Sequence, residues 1–172
     1  SDKRVALRLA LDWDDMARLR DTWHGPLVLK GICHPEVAAR AVALGADGIV
    51  VSSHGGRNFD PCPAVIDLLP EVRCAVGQHI TVLADSGVRR GTDVVKYLAH
   101  GADEVLTGRL PLWGLAAAGE PGADAALAGV LQELDEALIL SGHDLAEISA
   151  LAPDQPRSVS KQPRSDIQKF PL

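Results

Sequence analysis

Gly48-Ile49-Val50-Val51-Ser52-Ser53-His54-Gly55-Gly56-Arg57 decides how this chain folds. In its first half Ile49-Val50-Val51 is an unbroken β-branched run, too short for a helix and apolar at every position, as a strand buried on both faces must be. Its second half turns polar and carries two consecutive glycines, so the chain leaves the sheet in a tight loop. Just upstream, Ala43-Leu44-Gly45-Ala46-Asp47 reads as a helix end turning into that strand, and Ala99-His100-Gly101-Ala102-Asp103 repeats the pattern before Glu104-Val105-Leu106-Thr107. One helix-to-strand turn used twice is the mark of consecutive βα units.

Working outward, strands are predicted over residues 27–30, 48–52, 80–85 and 104–107. A helix opens with Pro35 and Glu36 and closes at Gly45, where a left-handed cap is easily adopted. A second covers residues 64–76. A third has Thr92 as N-cap and Gly101 beyond its end, with Val94, Val95 and Leu98 on one face. After Arg109 a short helix is expected over residues 112–118, then a longer one whose Leu127, Val130, Leu131, Leu134 and Leu138 form a packing stripe. From Pro153 the chain is rich in Pro, Ser, Arg, Lys and Gln, which predicts an extended or disordered tail over residues 153–172, or a segment wrapping a partner subunit. The expected division is therefore a folded unit over 1–152 and a tail. Four βα units make an α/β protein, either a small open parallel sheet or half of a (β/α)8 barrel, and both arrangements bind ligands at the C-terminal ends of their strands.

The bulk numbers agree. With 172 residues, 47% hydrophobic and only 3% aromatic, the chain can build a core of Val, Leu, Ile and Ala. Its 17 basic against 23 acidic residues give a net charge of −6, which argues against nucleic acid as a partner. Cys33, Cys62 and Cys74 form no CxxC pair, so they signal neither a disulfide framework nor a metal site, and they read as reduced thiols in a cytoplasmic compartment. No apolar run reaches the roughly 20 residues that span a bilayer, and the first residues do not resemble a signal peptide.

Every chemically loaded residue lies at or just past a predicted strand end, so all share one face. Lys30 ends the first strand, and a half-buried cation there needs an anionic partner. His54 supplies an imidazole, which can accept a proton from a hydroxyl or an α-carbon. Arg57, three residues on, offers a planar fork that matches a carboxylate. Base and fork at this spacing describe a substrate with an acid group beside the reacting carbon. Asp85-Ser86-Gly87-Val88-Arg89-Arg90-Gly91 runs from the third strand into a helix, so its amides and the helix N-terminus are expected to form an anion pocket. Asp85, which would repel a phosphate, suits a polyol hydroxyl. Gly108-Arg109 after the fourth strand adds an amide and a guanidinium, the phosphate-site position of barrels at the loops after strands seven and eight.

Taken together, Lys30-Gly31, Ser53-His54-Gly55-Gly56-Arg57, the run from Asp85 to Asp93 and Thr107-Gly108-Arg109 resemble the FMN-dependent 2-hydroxy-acid oxidases and dehydrogenases, a family that includes glycolate oxidase, lactate oxidase and mandelate dehydrogenase. The resemblance runs from about Trp13 to Ala152 and implies an FMN-binding (β/α)8 barrel of which this chain supplies the last four βα units. It implies that Lys30 offsets charge on the reduced flavin, that Ser52 lies near the ring, that His54 is the base and that Arg57 holds the substrate carboxylate. It further implies that Asp85, Ser86, Gly87, Val88, Arg89, Gly108 and Arg109 line the ribityl and phosphate site. Ser53 stands where most members have Asn, and Asn58-Phe59 where they have Gln-Leu.

The implied activity is oxidation of an L-2-hydroxy acid, lactate-, mandelate- or glycolate-like, to the 2-oxo acid. The expected partners are the N-terminal half of a cleaved enzyme, which would carry the first four strands, and further copies in a homotetramer. Membrane association would come through that missing half. Two other readings stand beside it: a non-flavin phosphate-binding barrel enzyme, and an inactive half-barrel that serves only in assembly.

Overall fold

The computed structural model describes residues 12–78 and 80–152, in which helices and strands alternate. The chain runs α1 (Trp13–Thr22), β1 (Val28–Ile32), α2 (Pro35–Ala43), β2 (Gly48–Val51), a 3-10 turn (His54–Gly56), α3 (Val65–Val76), β3 (Thr81–Ala84), α4 (Gly91–Ala99), β4 (Glu104–Val105), α5 (Arg109–Ser141) and α6 (Leu145–Ser149). The expected tail over residues 153–172 lies outside the described residues.

All strand pairs are parallel and the spatial order is β1-β2-β3-β4, the order of the chain. A doubly wound sheet reverses its order at a switch point, whereas a barrel never does, so this is half of a barrel wall. Burial follows position in that wall. β2, flanked on both sides, is buried along its whole length, while edge strand β1 leaves Val28 49% exposed. Ile49 and Val51 of β2 and Val82 and Ala84 of β3 pack with Ala38 and Ala41 of α2 and with Val65, Leu69 and Val72 of α3. Full burial of each larger apolar side chain contributes about 1.5–3 kcal/mol.

The repeated Gly-Ala-Asp turn does the same work twice. Asp47 donates its amide to Leu27 O at 2.8 Å and accepts Leu27 N–H on Oδ2 at 2.8 Å. Asp103 does likewise with Val82, at 2.8 and 2.7 Å. Each aspartate also meets an arginine from the helix before the strand it holds. Arg20 of α1 donates to Asp47 at 3.0 Å and to Gly45 O at 3.1 Å, and Arg73 of α3 donates to Asp103 and to Gly101 O, both at 2.6 Å. The half-barrel is thus two copies of an α-β-α-β unit, each closed at its base by an Arg–Asp clamp.

Several elements differ from the sequence-based expectation. α1 and α6 were not foreseen, although Asp12 with Asp15 and Asp144 with Glu147 form reciprocal caps at their starts. α4 begins at Gly91 with Arg90 as its cap, so Thr92 lies inside the first turn: Asp93 reaches back to the Arg89 and Arg90 amides at 3.1 and 3.2 Å and starts the helix earlier. β4 has only two paired residues, because an edge strand needs few ladder bonds before its loop departs. The two expected helices after Arg109 form one element broken at Ala118 (φ −149°) and Gly119 (φ +67°), where the backbones of Gly114 and Gly122 meet with no room for a Cβ. The leucine stripe is half a stripe: Val130, Leu134 and Leu138 are half-buried, while Leu127 and Leu131 face outward.

The two clamps differ in depth, since Arg73 is 2% exposed and Arg20 lies nearer the surface. Arg73→Ala strands three carbonyls and the Asp103 carboxylate, and is expected to cost about 3 kcal/mol. Arg20→Ala is expected to cost about 1 kcal/mol. Urea unfolding midpoints of the two variants against the parent measure the difference, and equal losses would contradict this ranking.

Candidate functional site

The strands deliver their polar residues to one end, where a cleft of about 300 Å³ opens between Lys30 of β1 and the loops after β2, β3 and β4. Lys30 near the end of β1, His54 and Arg57 after β2, and Asp85, Ser86, Gly87, Val88 and Arg89 after β3 all line it. Gly108 and Arg109 close it from the β4 side. Of the residues expected in the site, only Ser52 is not on the wall. It is buried behind the cleft, where its Oγ accepts from Lys30 Nζ at 2.8 Å and from His54 N–H at 3.1 Å. Ser52 therefore sets the positions of two cleft residues.

Lys30 has its anionic partner within the protein. Its ammonium pairs with Asp85 Oδ2, and Asp85 Oδ1 accepts from Ser86 Oγ at 2.7 Å. Burial by itself raises the Asp85 carboxyl, but hydrogen bonds from Lys30, Ser52 and Ser86 and the lysine charge outweigh it and hold the pKa below the ordinary carboxylate value. Both carboxylate oxygens are thereby engaged, which tempers the expectation that Asp85 offers a free acceptor to a polyol.

The backbone around His54 and Ser86 is held in an unusual conformation. These are the only non-glycine residues with positive φ among those described, at +53° and +72°. Such geometry persists where surrounding contacts over-determine it, and it clusters at functional sites. Here the contacts are visible: Gly55 N–H donates to Ser86 Oγ at 3.1 Å, and Tyr97 OH donates to Ser86 O at 2.6 Å. Burial, reinforced by the charges of Asp85, Asp93 and Asp67, pushes the Tyr97 phenol up to about 12, so it remains a donor at neutral pH.

Sequence reasoning missed three supporting residues. Gly31 sits at φ +94° in an irregularity of the β1–β2 ladder, and a Cβ there would lie 2.7 Å from His54 Cε1. The irregularity and the missing side chain together make the seat of the imidazole. A lone glycine inside a strand pattern was the available signal. Tyr97 and Cys33 left none. The Cys33 thiol donates to Ser52 O at 3.0 Å, and its pKa is pushed up to about 11 by burial and by the neighbouring Cys62 thiol.

The anion pocket also differs from expectation. The N-terminus of α4 is filled by carboxylates of the protein: Asp93 takes the Arg89 and Arg90 amides, and Glu133 of α5 takes the Gly91 amide at 3.0 Å. What remains for an anion is the Gly87 and Val88 amides, the Arg89 and Arg109 side chains and the Gly108-Arg109 loop, where Arg109 Nη2 lies 3.0 Å from the place a Cβ on Gly55 would occupy. The buried Thr107 Oγ1 on the same wall has no hydrogen-bond partner among the described residues. Two guanidiniums, one ammonium and the hydroxyls of Ser86 and Thr107 suit a ligand with a phosphate at one end and a polyol behind it. Asn58 and Phe59 are exposed and do not line this cleft.

Comparison with known proteins gives a consistent result. A family model described as FMN-dependent dehydrogenase matches residues 3–155. An L-lactate dehydrogenase of Xanthomonas euvesicatoria pv. vesicatoria is 48% identical over 142 residues, which is 82% of this chain and 37% of that protein. One from Pectobacterium atrosepticum is 46% identical over 142 residues, with the same shares. A crystal structure of mandelate oxidase with (S)-2-phenylpropionate matches with a TM-score of 0.77 at 41% identity, over 81% of this chain and 42% of that one. The chain thus spans well under half the length of the relatives it matches.

The Asp85 charge stabilises the fold fully above its unfolded pKa of about 3.9, and that stability is lost as pH falls through the lower native value. Urea midpoints of the parent and Asp85→Asn are therefore expected to differ by a constant amount above about pH 5 and to converge in stronger acid. A gap that does not shrink at all as pH falls below the unfolded pKa of about 3.9 would mean the carboxylate charge is not what holds Lys30.

Proposed function

Because this chain belongs to the FMN-dependent dehydrogenase family, we propose that it forms the catalytic half of an FMN-dependent enzyme that oxidises an L-2-hydroxy acid to the 2-oxo acid. The observation that carries the proposal is the placing of His54 and Arg57 on the cleft that also holds Lys30, Arg89 and Arg109. FMN, when bound, supplies the two-electron acceptor. Arg89, Arg109 and the Gly108 loop would hold its phosphate, and Ser86, Gly87 and Val88 would line the path of its ribityl chain.

The rest is chemistry of this chain's own residues. Arg57, exposed at the cleft mouth, orients the substrate carboxylate through parallel hydrogen bonds. An imidazole nitrogen of His54 accepts the proton released by the substrate. Lys30, held by Ser52 and Asp85, presents positive charge to the reduced ring without leaving its place. Lactate-like, mandelate-like and glycolate-like acids all satisfy the Arg57 and His54 requirement.

The half-barrel also needs a partner. The outer edges of β1 and β4 are unpaired among the described residues, and an apolar cleft of about 390 Å³ runs along β1 between Trp13, Met16 and Leu19 on one side and Leu27 and Leu29 on the other. Unpaired edges beside exposed apolar surface favour association. The occupant proposed is the N-terminal half of the same enzyme, which would bring the four preceding strands, and the whole would form a homo-oligomer. No described helix is long and apolar enough to cross a membrane.

Anaerobic addition of lactate, mandelate and glycolate to the assembled protein is expected to bleach the flavin absorption band with at least one of them. His54→Ala should keep FMN and lose about 10²–10⁴-fold in reduction rate. Arg57→Ala should lower kcat/KM by about 10²-fold or more, as two charge-assisted bonds are lost. Bound flavin that no 2-hydroxy acid bleaches would leave the fold and remove the activity, and loss of FMN in the His54 variant would contradict its assigned role.

A further inference from the structure

α5 crosses the start of α4 so closely that a Cβ on Gly91 would lie 2.0 Å from Leu134 N and 2.4 Å from Glu133 C. At this crossing the half-buried Glu133 accepts the Gly91 N–H at 3.0 Å. The two amides before it, those of Arg89 and Arg90, donate to Asp93. Three consecutive amides of the segment that carries Arg89 are therefore anchored by carboxylates, and one of those carboxylates comes from a helix far along the chain.

This has a consequence for the phosphate end of the cleft. A helix N-terminus whose amides are already paired with protein carboxylates has little left to offer an external anion. Affinity for the phosphate then depends on the Gly87 and Val88 amides and above all on the aim of the Arg89 and Arg109 guanidiniums, since bidentate pairing is sensitive to position. We propose that Glu133 is a positioning residue for the cofactor phosphate: acting through Gly91, it fixes the segment on which Arg89 stands and never touches the ligand. The proposal rests on the functional reading above, in that it takes the group at Arg89 and Arg109 to be the FMN phosphate.

Glu133 carries a negative charge, so a purely electrostatic role would oppose phosphate binding. A purely structural role would affect every ligand of the cleft alike. Positioning predicts a third pattern, in which loss is confined to the ligand that bears a phosphate and vanishes when the acceptor is restored.

The test measures affinities of the assembled protein for FMN and for riboflavin, which lacks the phosphate, by flavin fluorescence quenching. Glu133→Ala is expected to weaken FMN about tenfold and leave riboflavin within about twofold, and Glu133→Gln, which keeps an oxygen acceptor, to restore FMN affinity to the parent's value or better. Arg89→Met should also weaken FMN selectively, and the double variant Glu133→Ala/Arg89→Met should bind FMN no more weakly than Arg89→Met alone, because both changes act on one contact. The inference is overturned if Glu133→Ala keeps FMN affinity, if it weakens both flavins equally, if Glu133→Gln binds as poorly as Glu133→Ala, or if the two losses add. A parent protein that binds neither flavin would instead overturn the functional reading, and the inference with it.

Discussion

The Arg73 guanidinium lies at the base of the half-barrel, buried between α3, the turn before β4 and the start of β3. A buried cation is costly unless every donor finds an acceptor, and Arg73 finds Gly77 O, Ile80 O, Gly101 O and Asp103. In satisfying it, the chain fixes where β3 begins and where β4 must run. Asp103 carries the constraint onward, since the oxygen that meets Arg73 also accepts Val82 N–H. The Arg20 and Asp47 pair imposes the same geometry on β1 and β2 from a more exposed position. With both strand pairs pinned at their N-terminal ends, their C-terminal ends come into register and the loops above them converge.

That convergence makes the cleft. Ser52, at the end of the most buried strand, ties Lys30 from the strand before it to His54 in the loop after it. Asp85 and Ser86 tie the same lysine and the same loop to β3. The positive φ values of His54 and Ser86 are the cost of this network, and the hydrogen bonds from Gly55 and Tyr97 offset it. The base of the half-barrel is thus built from ion pairs that serve stability, and its top from a strained polar network that lines the cleft. The same division between stable bottom and functional top is general in barrels.

The outer helices extend the scheme. α5 leaves β4 at the cleft, turns sharply at Ala118 and Gly119, and returns across α4 to the Gly91 amide. Its outward-facing Leu127 and Leu131, with Val28 on the β1 edge, are apolar surface that a half-barrel leaves uncovered. Surface of this kind, together with two strand edges unpaired among the described residues, favours association with a partner.

Much of this was legible in the sequence. Local composition determined the alternation of strand and helix, because a short apolar run and a helical spacing cannot be exchanged without exposing one face. The repeated Gly-Ala-Asp turn announced its own reuse, and Lys30 lay at the predicted end of a strand while His54, Arg57, Asp85, Arg89 and Arg109 lay at or past the ends of others, so their common face came from topology alone. Contacts across long stretches of chain left little local trace. Nothing near Gly91 says that Glu133 will cap it, the lone glycine at Gly31 marks a close approach without saying that an imidazole makes it, and Asp85 looked like a free acceptor until Lys30 was brought beside it. The sequence by itself determined most of the polar residues that reach the cleft, with Ser52, buried behind it, the exception, because each strand end is fixed by its own neighbours. Only the tertiary structure decided which of them are already paired when a ligand arrives, because a hydrogen bond or ion pair depends on distances that the chain sets only once it is folded.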